Sequence, residues 1–446
     1  MGNLIEDLKA LIRIPSVSTD PAHSQDVVAA AQWTAERLRA AGLEKVAVMP
    51  TGGHPLVYAE WLHAPGQPTV IFYGHFDVQP PDPLELWSSP PFEPVVRDGR
   101  LYGRGASDMK GNLLLAVVAC ETLLKVGKPL PVNVKFLYEG EEEIGSRSLG
   151  DFVAAHHDLY ACDLAVSADS LQYGEEEPAL LVGLRGTAGI EIDVRSAATD
   201  AHSGLLGGLL PNAAQALAHI LAALKGPDGR ILVDGFYDDV RLVSEDERAA
   251  MAALPDDAES IRLSAGARAL AGEPGFSPRE RNWVRPTLDV NGMWGGYQGA
   301  GGKTVIPAEA HAKITCRLVP DQDPATIATL LQEHVLRHAP PEVDVTVRAR
   351  GGRSRPYVVP ADHPGLAAAE RALQGVYGRR PYRIRMGASV PATTILREEL
   401  GVWTIPFGFG LPDENAHAPD EFVRLSSMER GQAAFAALLR ELGAMG

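Results

Sequence analysis

The chain has 446 residues, about three times the length of a typical single domain, so at least two domains are expected. Its net charge of −16 argues against a nucleic-acid partner, because phosphate backbones are bound by basic surfaces. No apolar run reaches the length of about 18 residues that a membrane-spanning helix needs, so no membrane partner is expected.

The cysteines and the first residues indicate a cytoplasmic location. Cys120, Cys162 and Cys316 are far apart and odd in number, which excludes a disulfide framework and a Cys-x-x-Cys metal site. The first ten residues resemble a short helix with Glu6 and Asp7, and they lack the basic and long apolar regions of a signal peptide. We therefore expect a protein of the reducing cytosol.

From Ile5 to about Arg185 the sequence alternates between strand-like and helix-like segments. The strand-like runs are Leu56–Trp61, Thr69–Tyr73, Val132–Tyr138 and Leu164–Ala168, and the helix-like segments are Ser24–Ala41 and Lys110–Lys125. Strands separated by helices predict an α/β fold with a mostly parallel core sheet covered by helices.

The pattern changes after Gly186 to a smaller α+β unit. Its strand-like runs are Ile190–Val194, Ala308–Leu318 and Val343–Arg348, and its helices are Asn212–Leu224 and Ala325–Arg337. Residues 226–305 are rich in proline, glycine and charge, with one helical piece near Glu245–Leu254. A helix from Ala361 and a strand at Val402–Phe407 then resume the alternation of strands and helices seen before Arg185. We predict one domain from residues 1–186 and 376–446, with residues 187–375 inserted.

Metal-binding side chains follow several of the strand-like runs. Ile71–Tyr73 continues through Gly74 to His75 and Asp77. The other candidates are Asp108 in a glycine-rich turn, Glu141, Glu142 and Glu143 after a strand, Asp169 after another strand, and His417 in a distant loop. Because ligands of open α/β sheets bind beyond the carboxyl ends of the strands, these side chains are expected to meet at one edge.

Each candidate also has an ordinary structural explanation. His75 and Asp77 can be a solvated loop pair, Asp108 can cap the helix that follows it, and the three glutamates can form an acidic loop facing water. Their joint order favours a site, because imidazoles and carboxylates together hold two divalent cations when one carboxylate bridges them. A further carboxylate can then act as a base toward water. The sequence therefore predicts a metallohydrolase.

Two segments carry a specific resemblance, residues 74–80 (Gly-His-Phe-Asp-Val-Gln-Pro) and residues 415–421 (Asn-Ala-His-Ala-Pro-Asp-Glu). With the acidic residues between them, they resemble the co-catalytic metallopeptidase family that includes carboxypeptidase G, aminoacylase, succinyl-diaminopimelate desuccinylase and the carnosinase-type dipeptidases. The match is closest to the branch of carnosinase and cytosolic non-specific dipeptidase, and it covers nearly the whole chain.

The resemblance implies two divalent metal ions, zinc first, with manganese and cobalt as alternatives. The implied ligands are His75 and Asp169 for one metal, Glu143 and His417 for the other, and Asp108 as the bridge. It further implies that Glu142 is the general base and later the acid, and that Asp77 orients His75.

In the inserted domain the resemblance implies a homodimer. His202, in the segment Ala201–Gly204, looks like the residue that enters the partner subunit's active site and stabilises the oxyanion. Arg317 looks like the clamp for the terminal carboxylate of the substrate, and Gly387 and Ser389 resemble a Gly-Gly-Ser substrate loop. The chain departs from the family at two positions: Ala388 replaces a glycine, and Glu141 replaces an apolar residue before the base.

The expected activity is hydrolysis of the amide bond of dipeptides or short peptides that have a free C-terminal carboxylate, by a metal-bridged water that Glu142 activates. The alternatives are an N-acyl amino acid deacylase or desuccinylase, which uses the same chemistry with a different pocket, and a non-catalytic metal-binding scaffold.

Overall fold

The structure, a computed structural model, describes residues 2–255, 258–350 and 354–445. The chain divides into two compact units. The first comprises Met1–Val182, Val359–Ile384 and Val390–Gly446, and the second comprises Gly183–Val358 and Arg385–Ser389.

Helices and strands are numbered in chain order. The helices are α1 (Gly2–Ile12), α2 (Ser24–Ala40), α3 (Gly111–Lys125), α4 (Leu149–Ala155), α5 (His157–Tyr160), α6 (Ser203–Leu206), α7 (Ala213–Leu224), α8 (Glu245–Ala252), α9 (Ala258–Ser264), α10 (Pro278–Trp283), α11 (Pro324–His338), α12 (Pro364–Tyr377), α13 (Pro391–Leu400) and α14 (Leu425–Gly443). The strands are β1 (Glu44–Met49), β2 (Leu56–Trp61), β3 (Thr69–His75), β4 (Val95–Arg97), β5 (Arg100–Tyr102), β6 (Asn133–Glu139), β7 (Leu164–Ser167), β8 (Ala179–Leu184), β9 (Gly186–Arg195), β10 (Ala201–His202), β11 (Thr287–Gly295), β12 (Val305–Ile306), β13 (Glu309–Leu318), β14 (Asp344–Arg350), β15 (Tyr357–Val358), β16 (Tyr382–Met386), β17 (Thr404–Pro406) and β18 (Phe422–Arg424).

The first unit is built on a six-stranded sheet of order β1-β2-β6-β3-β7-β17. Strands β6, β3, β7 and β17 run parallel, and β1 and β2 add an antiparallel edge. Residues Val70 to Tyr73 of the central strand β3 are fully buried, and Phe72 pairs in register with Phe136 and Val166. A strand covered on both faces needs apolar side chains on both, which explains the continuous apolar run.

Helices cover this sheet, with α2 against β1 and β2, α3 against β3, and α12 and α13 against β17. Helix α14 packs on α3 and on α12. The prediction of an α/β fold with a mostly parallel core sheet is confirmed. The predicted strand at residues 56–61 has the observed bounds, and the other predicted strands of this unit shift by one or two residues at their ends. The short strands β1, β4, β5 and β18 were not predicted.

The second unit contains a four-stranded antiparallel sheet of order β11-β13-β9-β14. Helices α7 and α11 pack on it, and their buried faces share one apolar cluster with the inner faces of β9 and β13. The predicted helices and three of the strands are present. Strand β11 was not predicted, because Asp289, Asn291 and Gly292 interrupt its alternation and a bulge shifts its register between Val290 and Gly292.

The limits of the inserted unit differ from the prediction of residues 187–375. It begins at Gly183, its long segment ends at Val358, and Arg385–Ser389 returns to it. The reason is helix α12, which packs on α14 and β17 and so belongs to the first unit. Among the helices of the described ranges, none is both long enough and apolar enough to cross a membrane.

A π-helical turn, Ala106–Lys110, leads into α3 and contains a cis peptide bond between Asp108 and Met109. Glycine is required where this turn meets the helix. A Cβ atom on Gly111 would lie 2.5 Å from the carbonyl oxygen of Ala106 and 3.3 Å from the sulfur of Met428. The backbone of the turn therefore closes against the first residue of α3.

Replacing Gly111 by alanine should lower the free energy of unfolding by about 1–3 kcal/mol, because a backbone atom would have to move. The matched control is Gly375→Ala, since Gly375 lies in α12 with open space around its Cα. That change should raise the free energy of unfolding by about 0.5–1 kcal/mol through helix propensity alone. Denaturant unfolding of both variants measures the difference, and equal stabilisation by the two would contradict the close approach.

Candidate metal centre and substrate residues

The predicted metal residues lie in the first unit at the carboxyl ends of its parallel strands. His75 is the last residue of β3, Asp169 follows β7, and Glu142 and Glu143 form a short turn after β6. Asp108 lies in the π-helical turn before α3, and His417 lies in the loop between β17 and β18. The sheet and the loops around it therefore bring together side chains that are up to 342 positions apart (417 minus 75).

Two overlapping groups of ligand atoms share His75. In one group, ligand atoms of His75, Glu142 and Asp169 lie within 4.8 Å of one another, and in the other, so do those of His75, Asp108 and Glu143. His417 joins the second group, because its Nε2 is 2.9 Å from Asp108 Oδ2 and 3.2 Å from Glu143 Oε2. All five predicted metal ligands and the predicted base thus lie around one small space.

Asp108 lies between the two histidines. Its Oδ1 is 3.2 Å from His75 Nε2, and its Oδ2 faces His417. It does not cap the helix that follows, since no side-chain bond caps α3. One carboxylate with an imidazole on either side has the position that a bridging ligand needs.

Asp77 contacts His75 chiefly through its backbone. The Nδ1 of His75 donates to the carbonyl oxygen of Asp77 at 3.1 Å, whereas the carboxylate Oδ1 is 3.4 Å away. The other carboxylate oxygen, Oδ2, accepts from the backbone N–H of Glu143 at 3.1 Å. Asp77 therefore links the segment that carries His75 to the segment that carries Glu143.

The pKa values of the centre are shifted because several carboxylates are buried close together. Burial, with the charges of Asp169 and Glu143 added, raises the pKa of Glu142 well above its usual value. Burial and the charge of Asp108 raise the pKa of Asp169 to about 7. Hydrogen bonds to Asp108 and Glu143 raise the pKa of His417 to about 10. Without cations, bound protons reduce the repulsion between these carboxylates. Bound cations would reduce the same repulsion.

The residues fit divalent cations. Nε2 of His75 and Oε1 of Glu143 are buried without a hydrogen-bond partner among the described residues, although each belongs to a candidate ligand. A buried acceptor without a partner is costly, and metal coordination satisfies it. Imidazole nitrogens mixed with carboxylate oxygens form a donor set suited to zinc, manganese or cobalt.

Sequence reasoning missed the supports beneath these ligands, above all Glu421. One of its carboxylate oxygens accepts from the backbone N–H groups of Ser107 and Asp108 at 2.9 and 3.0 Å. The other accepts from Gly105 N and from Arg104 Nη1, both at 2.8 Å. Arg104 also donates to the carbonyl oxygens of Pro80 and Ala418.

Arg104 and Glu421 are fully buried, so they form an ion pair that ties together the loops bearing His75, Asp108 and His417. The signal was present in the sequence, since Arg104 stands between two glycines and Glu421 directly precedes the apolar pair Phe422 and Val423. A charge in such a setting needs a buried partner.

Two further supports lie close by. Glu139 pairs in register with His75, and its carboxyl group accepts from the hydroxyls of Tyr73 at 2.7 Å and Ser146 at 2.9 Å. Burial raises the pKa of Glu139 to about 8. Glu141, one of the two departures that the resemblance implied, accepts from the backbone N–H groups of His54 and Ser148. It therefore anchors a loop.

The predicted substrate residues belong to the second unit and lie together there. Nη1 of Arg317 donates to Ser389 Oγ at 3.0 Å, and Ser389 Oγ donates to the carbonyl oxygen of Arg185 at 2.6 Å. The carbonyl oxygen of Gly387 accepts from Arg185 Nε at 3.0 Å. Ala388, the other departure that the resemblance implied, has a negative φ that alanine adopts without penalty.

His202 ends strand β10 in the second unit and is exposed. Its Nδ1 accepts from the backbone N–H of Gly204 at 3.0 Å. This bond fixes the tautomer, so that Nε2 carries the proton and can donate it to an oxygen.

The fold and the site define a class of protein, a hydrolase built around a pair of divalent cations. Comparison with known proteins then gives the family. Residues 71–441 match the peptidase family M20/M25/M40, and the chain belongs to this family.

Curated relatives and solved structures agree with this assignment. The chain is 30% identical to the Cys-Gly metallodipeptidase dug1 of Schizosaccharomyces pombe over 98% of this chain and 95% of that protein. It is 30% identical to the Beta-Ala-His dipeptidase of Rattus norvegicus over 98% of this chain and 92% of that protein.

Among solved structures, human carnosine dipeptidase 1 is 30% identical with a TM-score of 0.84, covering 99% of this chain and 96% of that one. The M20 family metallo-carboxypeptidase Sso-CP2 from Sulfolobus solfataricus is 30% identical with a TM-score of 0.89, covering 100% of both chains. The predicted family and its dipeptidase branch are confirmed, as is the predicted enzyme class, a metallopeptidase. None of these comparisons favours the deacylase alternative.

Replacing Glu421 by glutamine should weaken metal binding by about 10–100-fold, as is usual when a residue that orients a ligand is lost. The amide nitrogen of glutamine cannot accept from the backbone N–H groups that hold the Asp108 turn. Titration calorimetry with Zn²⁺ measures this affinity. Glu429→Gln, an exposed change on α14, is the control. Equal affinities in the two variants would contradict the support role of Glu421.

Proposed function

We propose that this protein is a metal-dependent hydrolase that cleaves the amide bond of dipeptides or short peptides with a free C-terminal carboxylate. The observation that carries the proposal is the grouping of ligand atoms around His75 within 4.8 Å. The relatives named for Cys-Gly and beta-Ala-His dipeptides support the substrate class.

His75 and Asp169 would hold one cation, Glu143 and His417 the other, and Asp108 would bridge them. Zinc suits this donor set best, and manganese and cobalt are the alternatives. When bound, the cation pair lowers the pKa of a water molecule and polarises the scissile carbonyl. Asp77 keeps His75 oriented through the contact at Nδ1.

Glu142 is the proposed general base. It lies beside His75 and Asp169 without being needed as a ligand, and its raised pKa suits a group that takes up and returns a proton. It removes a proton from the attacking water and later gives a proton to the leaving amine. Glu141 does not compete for this role, because backbone N–H groups hold its carboxylate.

Arg317 is the proposed clamp for the terminal carboxylate of the substrate. Its planar guanidinium can bind a carboxylate through two parallel hydrogen bonds. Ser389 and Gly387 lie beside it, and Ser389 fixes one of its nitrogens through the 3.0 Å contact. A clamp of this kind selects substrates with a free C terminus.

We further propose a homodimer formed through the inserted unit, in which His202 donates a proton to the oxyanion in the partner subunit's active site. The exposed position of His202 and the tautomer that Gly204 fixes support this role. Strand β11 supports the dimer, because it is an edge strand that exposes Val290 and Met293. Exposed apolar edges are typical sites of strand pairing between chains.

We also propose a cytoplasmic location. The described structure leaves Cys120, Cys162 and Cys316 as free thiols, which supports a reducing compartment.

Glu142→Gln should abolish turnover of a dipeptide panel while metal content stays the same, because the amide cannot take a proton from water. Glu429→Gln, the exposed change on α14, is the control and should keep the activity. Metal analysis beside kcat measurements separates loss of the base from loss of the ions. Normal turnover by Glu142→Gln would contradict its role.

His202→Ala should lower kcat by about 10²–10³-fold, the usual effect of losing one oxyanion donor. If His202 acts across a dimer, then mixing His202→Ala with Glu142→Gln should restore activity, because some mixed dimers carry one intact site. Native mass spectrometry verifies that mixed dimers form. Mixed dimers without recovered activity would rule out action in the partner subunit.

A further inference from the structure

Arg185, between β8 and β9 of the second unit, has no role in the proposed mechanism, yet it is buried beside the substrate residues. Only 7% of Arg185 is exposed. Its Nε donates to the carbonyl oxygen of Gly387 at 3.0 Å, and its Nη1 is 3.4 Å from the carbonyl oxygen of Arg285. The guanidinium is thus held against the 387–389 loop by main-chain oxygens.

The backbone of Arg185 completes this arrangement. Its N–H donates to the carbonyl oxygen of Ala388 at 3.1 Å, and its own carbonyl oxygen accepts from Ser389 Oγ at 2.6 Å. Ser389 Oγ in turn accepts from Arg317 Nη1. All three residues of the 387–389 loop therefore bond to Arg185, and the loop connects Arg185 to Arg317.

The guanidinium of Arg185 occupies the space that a side chain at position 387 would need. A Cβ atom at position 387 would lie 2.6 Å from Arg185 Nη2 and 2.7 Å from Asn282 Oδ1. Any side chain there would have to displace the arginine. The need for glycine at this position is explained by Arg185, since Gly387 does not adopt a positive φ.

The two arginines form no ion pair with a carboxylate of the described residues, and their hydrogen bonds go to neutral oxygens. Burial, with the positive charge of Arg317 added, lowers the pKa of Arg185 to about 10, and the negative charge of Asp289 opposes this shift only in part. Two positive charges close together in a partly dry site are unfavourable unless an anion joins them.

We propose that Arg185 is a positioning residue of the subsite for the substrate's terminal carboxylate, where it fixes the 387–389 loop and adds a second positive charge beside Arg317. The proposal rests on the proposed function, because it takes the carboxylate of a dipeptide as the anion. The carboxylate contacts Arg317, and Arg185 acts through the loop and through its charge.

The test measures binding without turnover, in the zinc-loaded Glu142→Gln protein. Titration calorimetry compares a dipeptide that has a free carboxylate with the same dipeptide as its C-terminal amide. Adding Arg185→Gln should weaken binding of the free acid about tenfold, the usual scale for a charged interaction, and leave the amide unchanged. Arg185→Lys keeps the charge and should recover part of the loss.

Two further variants separate this role from a structural one. Gly387→Ala should reproduce the loss for the free acid, because its Cβ displaces the guanidinium. Arg195→Gln is the control, since Arg195 is an exposed arginine at the end of β9. If Arg185→Gln unfolds the protein, then Gly387→Ala and Arg185→Lys carry the test.

Equal losses for acid and amide would overturn the inference, as would unchanged binding of the acid. Failure of the Glu142→Gln background to prefer the acid would overturn it too. A protein that binds the acid selectively but cleaves no dipeptide before Glu142 is changed would contradict the proposed function and leave this subsite standing.

Discussion

The central constraint on this structure is the burial of many carboxylates at the carboxyl ends of one sheet. Asp108, Glu142, Glu143 and Asp169 share the space with two imidazoles, those of His75 and His417. Burial and the charge of Asp108 raise the pKa of Asp169 to about 7, and bound cations would remove this penalty on the charged form. A chain that keeps these groups together is built to bind metal.

The rest of the first unit serves to hold that arrangement. The parallel strands deliver His75, Glu142 and Asp169 to one edge, because their carboxyl ends coincide. Asp108 and His417 lie in loops, so the sheet does not fix their positions. The buried ion pair of Arg104 and Glu421 holds those loops in place instead. His417 has a φ of +62°, a backbone conformation that non-glycine residues seldom adopt and that local packing must support.

The same difference between strands and loops explains which parts of the fold and of the candidate site could be predicted from the sequence. Apolar runs with polar residues after them predicted the core strands and the positions of the candidate ligands His75, Glu143 and Asp169, because burial on both faces leaves a clear pattern. Strand β11 was missed because exposed edge residues obey no such pattern, and it carries a bulge. The supports Arg104 and Glu421 were missed because their partners lie 317 positions apart. The limits of the inserted unit depended on the packing of α12, which sequence does not show.

The second unit holds a different kind of incomplete site. Arg185 and Arg317 present positive charge without an ion-paired carboxylate among the described residues, whereas the candidate metal centre presents excess negative charge. A dipeptide can supply the missing partner of the arginines through its carboxylate. Cations supply the missing partners of the acidic centre. The unbalanced charges of the two units thus indicate the two ligands that the protein is expected to bind, divalent cations and a peptide carboxylate.

A crystal structure of the zinc-loaded protein, with anomalous diffraction recorded at the zinc edge, locates the bound cations directly. We expect two anomalous peaks, one bound by His75 and Asp169 and one by Glu143 and His417, with Asp108 in contact with both and Glu142 in contact with neither. A single peak, or peaks away from these side chains, would show that these residues do not form a two-metal centre.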